Sequence, residues 1–124
     1  MLSFDIIMNG KVKKMKGQPA GNYFGVDMRL GKGWFITHLP SGFLLTSAVF
    51  ASCNDAIYFS GFCEQAYGDL LAPPDERCLL DNRYTNEKRN QFFILRNRIE
   101  DLDGLITKEI IDEGLCQVQI TCRQ

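Results

Sequence analysis

Hydrophobic and polar residues alternate through most of the first half of the chain, and the alternation predicts strands. Leu2 to Met8 is apolar and ends at Asn9-Gly10, a two-residue hairpin signal, because both central positions of that turn need positive φ. Lys11 to Met15 then reads as the returning strand, with its lysines on a wet face, and Lys16 to Asn22 reads as a loop by composition. From Tyr23 the period is two: Phe24, Val26, Met28 and Leu30 lie on one face, and Gly25, Asp27 and Arg29 on the other. Gly31-Lys32-Gly33 turns the chain into a further strand at Trp34. Pro40 and Gly42 suit a three-residue hairpin loop leading into Phe43 to Thr46.

In that last hairpin Phe35, Thr37, Leu39, Phe43 and Leu45 fall on one face, and Trp34, Ile36, His38, Leu44 and Thr46 on the other. Both faces are apolar. A solvated sheet face reads polar, so the second face needs a cover, either the chain's own second helix or another molecule.

Helical spacing takes over after residue 50. Ser52 or Asn54 can cap a helix running to about Tyr67 and stopped by Gly68. Its apolar residues Ala56, Ile57, Phe59, Phe62, Cys63 and Ala66 cover most of its circumference, which predicts a helix lying flat on the sheet. Asp69 to Thr85 is an irregular excursion containing Pro73-Pro74, longer than most connections. Asn86 opens a second helix with the stripe Phe92, Leu95, Ile99 and Leu102, closed near Gly104. Thr107 can cap a short third helix ending at Gly114. The alternation of Cys116, Val118, Ile120 and Cys122 with Gln117, Gln119, Thr121 and Arg123 predicts a terminal strand. The expected architecture is a single α+β domain over 1–124, with a mainly antiparallel sheet of five or six strands and two main helices packed on it.

Composition narrows the class. With 45% hydrophobic residues in 124, the chain can build a core without staples. No run approaches the ~20 apolar residues of a transmembrane helix, and Asp5 interrupts the first apolar run, so neither membrane insertion nor a secretory leader is expected. Five cysteines without a Cys-x-x-Cys spacing predict free thiols in a reducing cytoplasm. Residues 1–50 hold six Lys/Arg against two acids, and residues 51–124 hold eight against thirteen. Neither the field of a nucleic-acid binder nor the acidity of a DNA mimic results.

Candidate chemistry is sparse. His38 is the only imidazole, so a thiol–imidazole enzyme would have to join it to Cys63 or Cys78. Packing beside Trp34 and Ile36 explains it without catalysis. The cysteines lack zinc-ligand spacing, and Gly31-x-Gly33 leads into a strand rather than a helix, so no metal, cofactor or phosphate site is expected. Lys11, Lys13, Lys14 and Lys16 form a basic strip, the feature a nucleic-acid module would use together with the group from Arg83 to Arg98. Arg83, Tyr84, Lys88 and Arg89 resemble an interface in composition, since Arg and Tyr are enriched in hot spots. Trp34 joins them as a candidate anchor, and Glu109, Asp112 and Glu113 offer an acidic surface for a basic partner.

The run Gly33-Trp34-x-x-Thr37-His38-x-x-Ser41-Gly42, followed by Phe50-x-Ser52 and Ala56-x-x-Phe59, resembles a hairpin–helix unit of small bacteriophage and mobile-element proteins. That class includes anti-CRISPR-like inhibitors of host defence complexes. The resemblance implies a non-catalytic inhibitor that occludes a surface of a larger host protein or ribonucleoprotein. A second copy of the chain is a further candidate partner, and no functional residues carry over.

Overall fold

The computed structural model describes residues 2–68, Leu71, Leu80 and 87–122, with side chains described to residue 115. Four strands, β1 (Leu2–Met8), β2 (Lys11–Ala20), β3 (Phe24–Arg29) and β4 (Gly33–His38), form one antiparallel sheet in the order β1-β2-β3-β4. Three helices follow: α1 (Cys53–Tyr67), α2 (Glu87–Glu100) and α3 (Lys108–Cys122). The α+β class and the antiparallel pairing are as expected; among the described residues there are four strands and three helices rather than five or six strands and two main helices.

The first hairpin turns where the sequence predicts, with Asn9 at φ 53° and Gly10 at φ 75°, and it pairs Met8 with Lys11. Its returning strand does not stop at Met15. β2 continues through the segment expected to be a loop, leaving β1 after Gly17 and pairing Gln18, Pro19 and Ala20 with Val26, Gly25 and Phe24 of β3. Pro19 is tolerated because β2 has a neighbour on only one side there.

The hairpin after β4 is where expectation and structure part. The loop has four residues rather than three: the Gly42 amide donates to the His38 carbonyl (2.8 Å) and the His38 amide to the Phe43 carbonyl (2.9 Å). The pairing is Thr37 with Leu44 and Ile36 with Leu45, one residue off the expected register, so Leu45 joins Ile36 in the core. The segment never becomes a fifth strand. It pairs again with β4 only at Phe50, opposite Trp34, and of the residues between, Thr46 and Ser47 bond to α2 instead. The Glu100 carboxylate accepts from the Thr46 hydroxyl and the Ser47 amide (3.0 Å), pinning this bulge to the end of α2.

Ser52 caps α1 by accepting the Asp55 amide (3.1 Å). The Asp55 carboxylate accepts the Ser52 hydroxyl (2.7 Å) and, reaching sideways, the Lys108 amide (2.9 Å), so it ties the cap of α1 to the start of α3. α1 lays Ala56, Phe59 and Cys63 on the face of Phe24, Val26 and Ile36. α2 buries Phe92, Leu95 and Ile99 against α1 and α3, while Leu102 ends its predicted stripe half-exposed. The expected terminal strand is instead the second half of α3. Gly114 is buried opposite Ile99 and lacks the left-handed φ that stops a helix, so α3 runs on through the segment that alternates in sequence.

The second sheet face, that of Phe35 opposite α1, is not covered by α2. The β1–β2 hairpin folds back over it. Phe4 lies on Gly25 so closely that a Cβ there would stand 2.7 Å from the ring, and a Cβ on Gly17 would meet the Val26 carbonyl oxygen at 2.1 Å. The Ile7 amide donates to the Gly42 carbonyl (2.9 Å), closing the curl. A second small core of Phe4, Ile6 and Phe35 results, with Arg29 stacked on Phe35 at 4.3 Å and paired to the buried Asp27 at 3.0 Å.

Candidate interaction surface

Two ladder contacts bring Trp34 to the start of α3. Trp34 pairs with Phe50, and Phe50 pairs with Ile106, two residues before α3 begins. Around this junction the apolar surface is not closed. Leu105 packs beside Gly33 yet is 47% exposed, Leu102 is 45% exposed, and at the tip of the β3–β4 hairpin Met28 and Leu30 are exposed. Beside Leu102, α2 and α3 part to leave a groove of about 190 Å³ lined by Arg98, Ile99, Leu102, Asp103, Ile110, Glu113 and Gly114. Its floor is aliphatic and its rim is charged.

The surrounding charge is one-sided. Residues 98–113 carry six carboxylates (Glu100, Asp101, Asp103, Glu109, Asp112, Glu113) against Arg98 and Lys108. Glu100 is occupied with Thr46, Ser47 and Arg96, and Asp112 accepts the Tyr58 hydroxyl, which holds that phenol's pKa above its usual value. Asp101, Asp103, Glu109 and Glu113 are exposed. Trp34, Glu109, Asp112 and Glu113 thus belong to one end of the molecule.

Of the basic-aromatic candidates, Lys88 and Arg89 do not join them. Arg83 and Tyr84 lie outside the described residues. Lys88 is exposed at the far end of α2, about 20 Å away for a helix of this length. Arg89 is 5% exposed, with its guanidinium 4.2 Å from the Phe93 ring, and Arg96 takes the same ring at the same distance. Burial pushes the Arg96 pKa down, with Glu100 opposing and Arg89 adding to the shift. Sequence spacing identified these arginines as charged but could not show that Arg89 is buried and that Arg96 packs half-buried on the same ring.

Nor are the lysines one strip. Lys14 and Lys16 share a face with Asp5 and Ser3, and Lys14 pairs with Asp5 at 2.8 Å; Lys11 and Lys13 share the opposite face with Met8 and Ile6.

His38 is fully buried and bonded at both nitrogens. Nε2 donates to the Leu71 carbonyl (3.2 Å), which leaves Nδ1 to accept from the Ser41 hydroxyl (2.8 Å). Ser41 in turn accepts the Phe43 amide (3.2 Å), so the Thr-His-x-x-Ser-Gly run is a turn lock. Burial holds the imidazole pKa below its usual value. Cys63 is buried among apolar side chains, which raises its thiol pKa, and with both His38 nitrogens taken no thiol–imidazole pair is assembled between them. Cys78 lies outside the described residues. No group of three or more potential metal ligands occurs among the described residues, and no described helix is long and apolar enough to cross a membrane.

No family model, curated protein or solved structure matches this chain.

A larger cavity of about 600 Å³ lies along the outer face of α1, beside Ile57, Tyr58, Phe62 and Glu64. Among the described residues its lining comes from that helix alone, so nothing converges on a ligand from two elements. The smaller groove falls below the ~300 Å³ of an ordinary small-molecule site. Its volume and its two-helix walls suit a side chain presented by another protein.

Proposed function

We propose that this chain is a non-catalytic protein-interaction module whose working surface is the end of the molecule carrying Trp34, Leu102, Leu105 and the α2–α3 groove. The observation that supports it is the half-exposed Leu102 and Leu105 beside a groove walled by two helices. Val12, Phe43 and Ile94 are also exposed among the described residues, but none of them lines this groove. An apolar patch left open beside a groove marks a contact site. The biological form we propose is a phage or mobile-element inhibitor of anti-CRISPR type, acting in the cytoplasm by occluding a surface of a larger host protein or ribonucleoprotein.

The test is affinity capture from host lysate with the native chain and with Leu102→Asp/Leu105→Asp, read by mass spectrometry. A partner held at fixed stoichiometry by the native chain and lost by a variant with an unchanged melting temperature is expected. Retention of the same partner by the folded variant refutes the assignment of the surface.

A further inference from the structure

Resting on that reading, we infer that the α2–α3 groove takes a basic segment of the partner, an aliphatic or aromatic anchor side chain flanked by lysines or arginines. The groove supplies the anchor's site. Ile99 and Gly114 form a buried floor where the two helices approach, and Leu102 and Ile110 form flanks that are partly in water. An apolar side chain entering there removes water from Leu102 without displacing any polar group from the floor.

The rim selects the flanking charge. Asp103 and Glu113 border the groove, and exposed Asp101 and Glu109 extend the same sign beyond it, so the six carboxylates of residues 98–113 outnumber the cations by four. Among the described lining residues Arg98 is the one cation against two carboxylates, Asp103 and Glu113. An acidic segment would meet like charge at close range, whereas a basic one is steered toward the groove. Helical and extended segments both fit this chemistry. An amphipathic helix uses anchors at i and i+4, a spacing that matches a groove running between two helices.

The experiment uses the full chain and two fluorescein-labelled synthetic peptides. One carries leucines at i and i+4 among lysines; its twin has glutamate at every lysine position. Saturable binding of the lysine peptide is expected, with amide shifts confined to residues near Ile99, Leu102, Ile110 and Gly114. The acidic twin should bind at least tenfold more weakly. Asp103→Lys/Glu113→Lys, both exposed positions, should reverse the preference between the twins. Gly114→Leu, which fills the floor, should abolish binding of either peptide, and Leu102→Ala should weaken it severalfold if Gly114→Leu fails to fold. Equal binding of the twins, shifts mapping elsewhere, or an unchanged preference after charge reversal overturns the inference. If the lysine peptide fails while the native partner is still lost on Leu102→Asp/Leu105→Asp, the occupant is wrong and the surface stands. If the native partner survives that variant, the functional reading itself fails.

Discussion

If the β1–β2 hairpin is what covers the second sheet face, Phe4 and Gly25 must be energetically coupled, and the coupling has a calculable sign. Phe4 is 6% exposed and its ring stands directly above the Gly25 backbone. Phe4→Ala removes a buried aromatic and leaves a cavity, a loss of about 3–5 kcal/mol. Gly25→Ala inserts a methyl 2.7–2.9 Å from that ring, an overpacking that costs roughly 1–3 kcal/mol. Gly25 is not among the positive-φ residues, so its backbone accepts alanine without strain. In the Phe4→Ala background the clash is gone. There the added methyl partly fills the void, and alanine also restricts the unfolded chain, a gain of about 0.4–1 kcal/mol. Gly25→Ala should therefore change from destabilising in the native background to neutral or stabilising beside Phe4→Ala. The coupling should be about 1–3 kcal/mol, the size of the relieved clash, since the unfolded-chain gain is common to both backgrounds. Urea denaturation of the four proteins, followed by circular dichroism and by fluorescence of the single Trp34, measures it. Additivity within about 0.5 kcal/mol, the result for residues that do not touch, would show that Phe4 is not the cover.

The remaining predictions concern buried polar groups. His38 is held neutral with its pKa below 6.5, so under acid the unfolded chain binds a proton that the folded one refuses. Its contribution is complete above pH 6.5 and is lost as pH falls below it, at up to about 1.4 kcal/mol per pH unit; the urea midpoint between pH 5 and 7.5 should show this slope, and His38→Gln should flatten it. Arg89→Ala should cost roughly 1–3 kcal/mol in thermal unfolding, because it strips a buried guanidinium from Phe93, while Lys88→Ala at the exposed neighbour should cost at most about 1 kcal/mol. Equal melting temperatures for the two would place Arg89 on the surface. The Thr37 hydroxyl is buried without a hydrogen-bond partner, so Thr37→Val should stabilise by about 1 kcal/mol; a loss of stability would mean that its oxygen is satisfied.

Much of this molecule was legible in local signals. The Asn9-Gly10 turn, the period-two run from Phe24 and the end of α1 at Tyr67 were placed from sequence, and its cap was narrowed to Ser52 or Asn54, because each depends on φ preference or on neighbours within a few residues. Of the surface, Trp34 and the acids of α3 stood out by residue type, and their proximity followed only from the Trp34–Phe50–Ile106 pairing. The groove itself depends on how far apart two helices settle, which no spacing records.

Wherever two elements compete for the same groups, the tertiary structure decided. Phe43 to Leu45 pairs with β4, in keeping with its strand character, yet the Glu100 carboxylate takes the Ser47 amide that would have carried the ladder on. The tail beyond Gly114 alternates like a strand, but a helix already capped at Thr107 and packed on α2 propagates through it, since each added residue gains a backbone bond with no new nucleus to form. Sequence by itself determined that the β4 strand is apolar on both faces and therefore must be covered. That the cover is the chain's own first hairpin was set by close backbone approach at Gly17 and Gly25, a long-range steric fit that alternation along a strand does not encode.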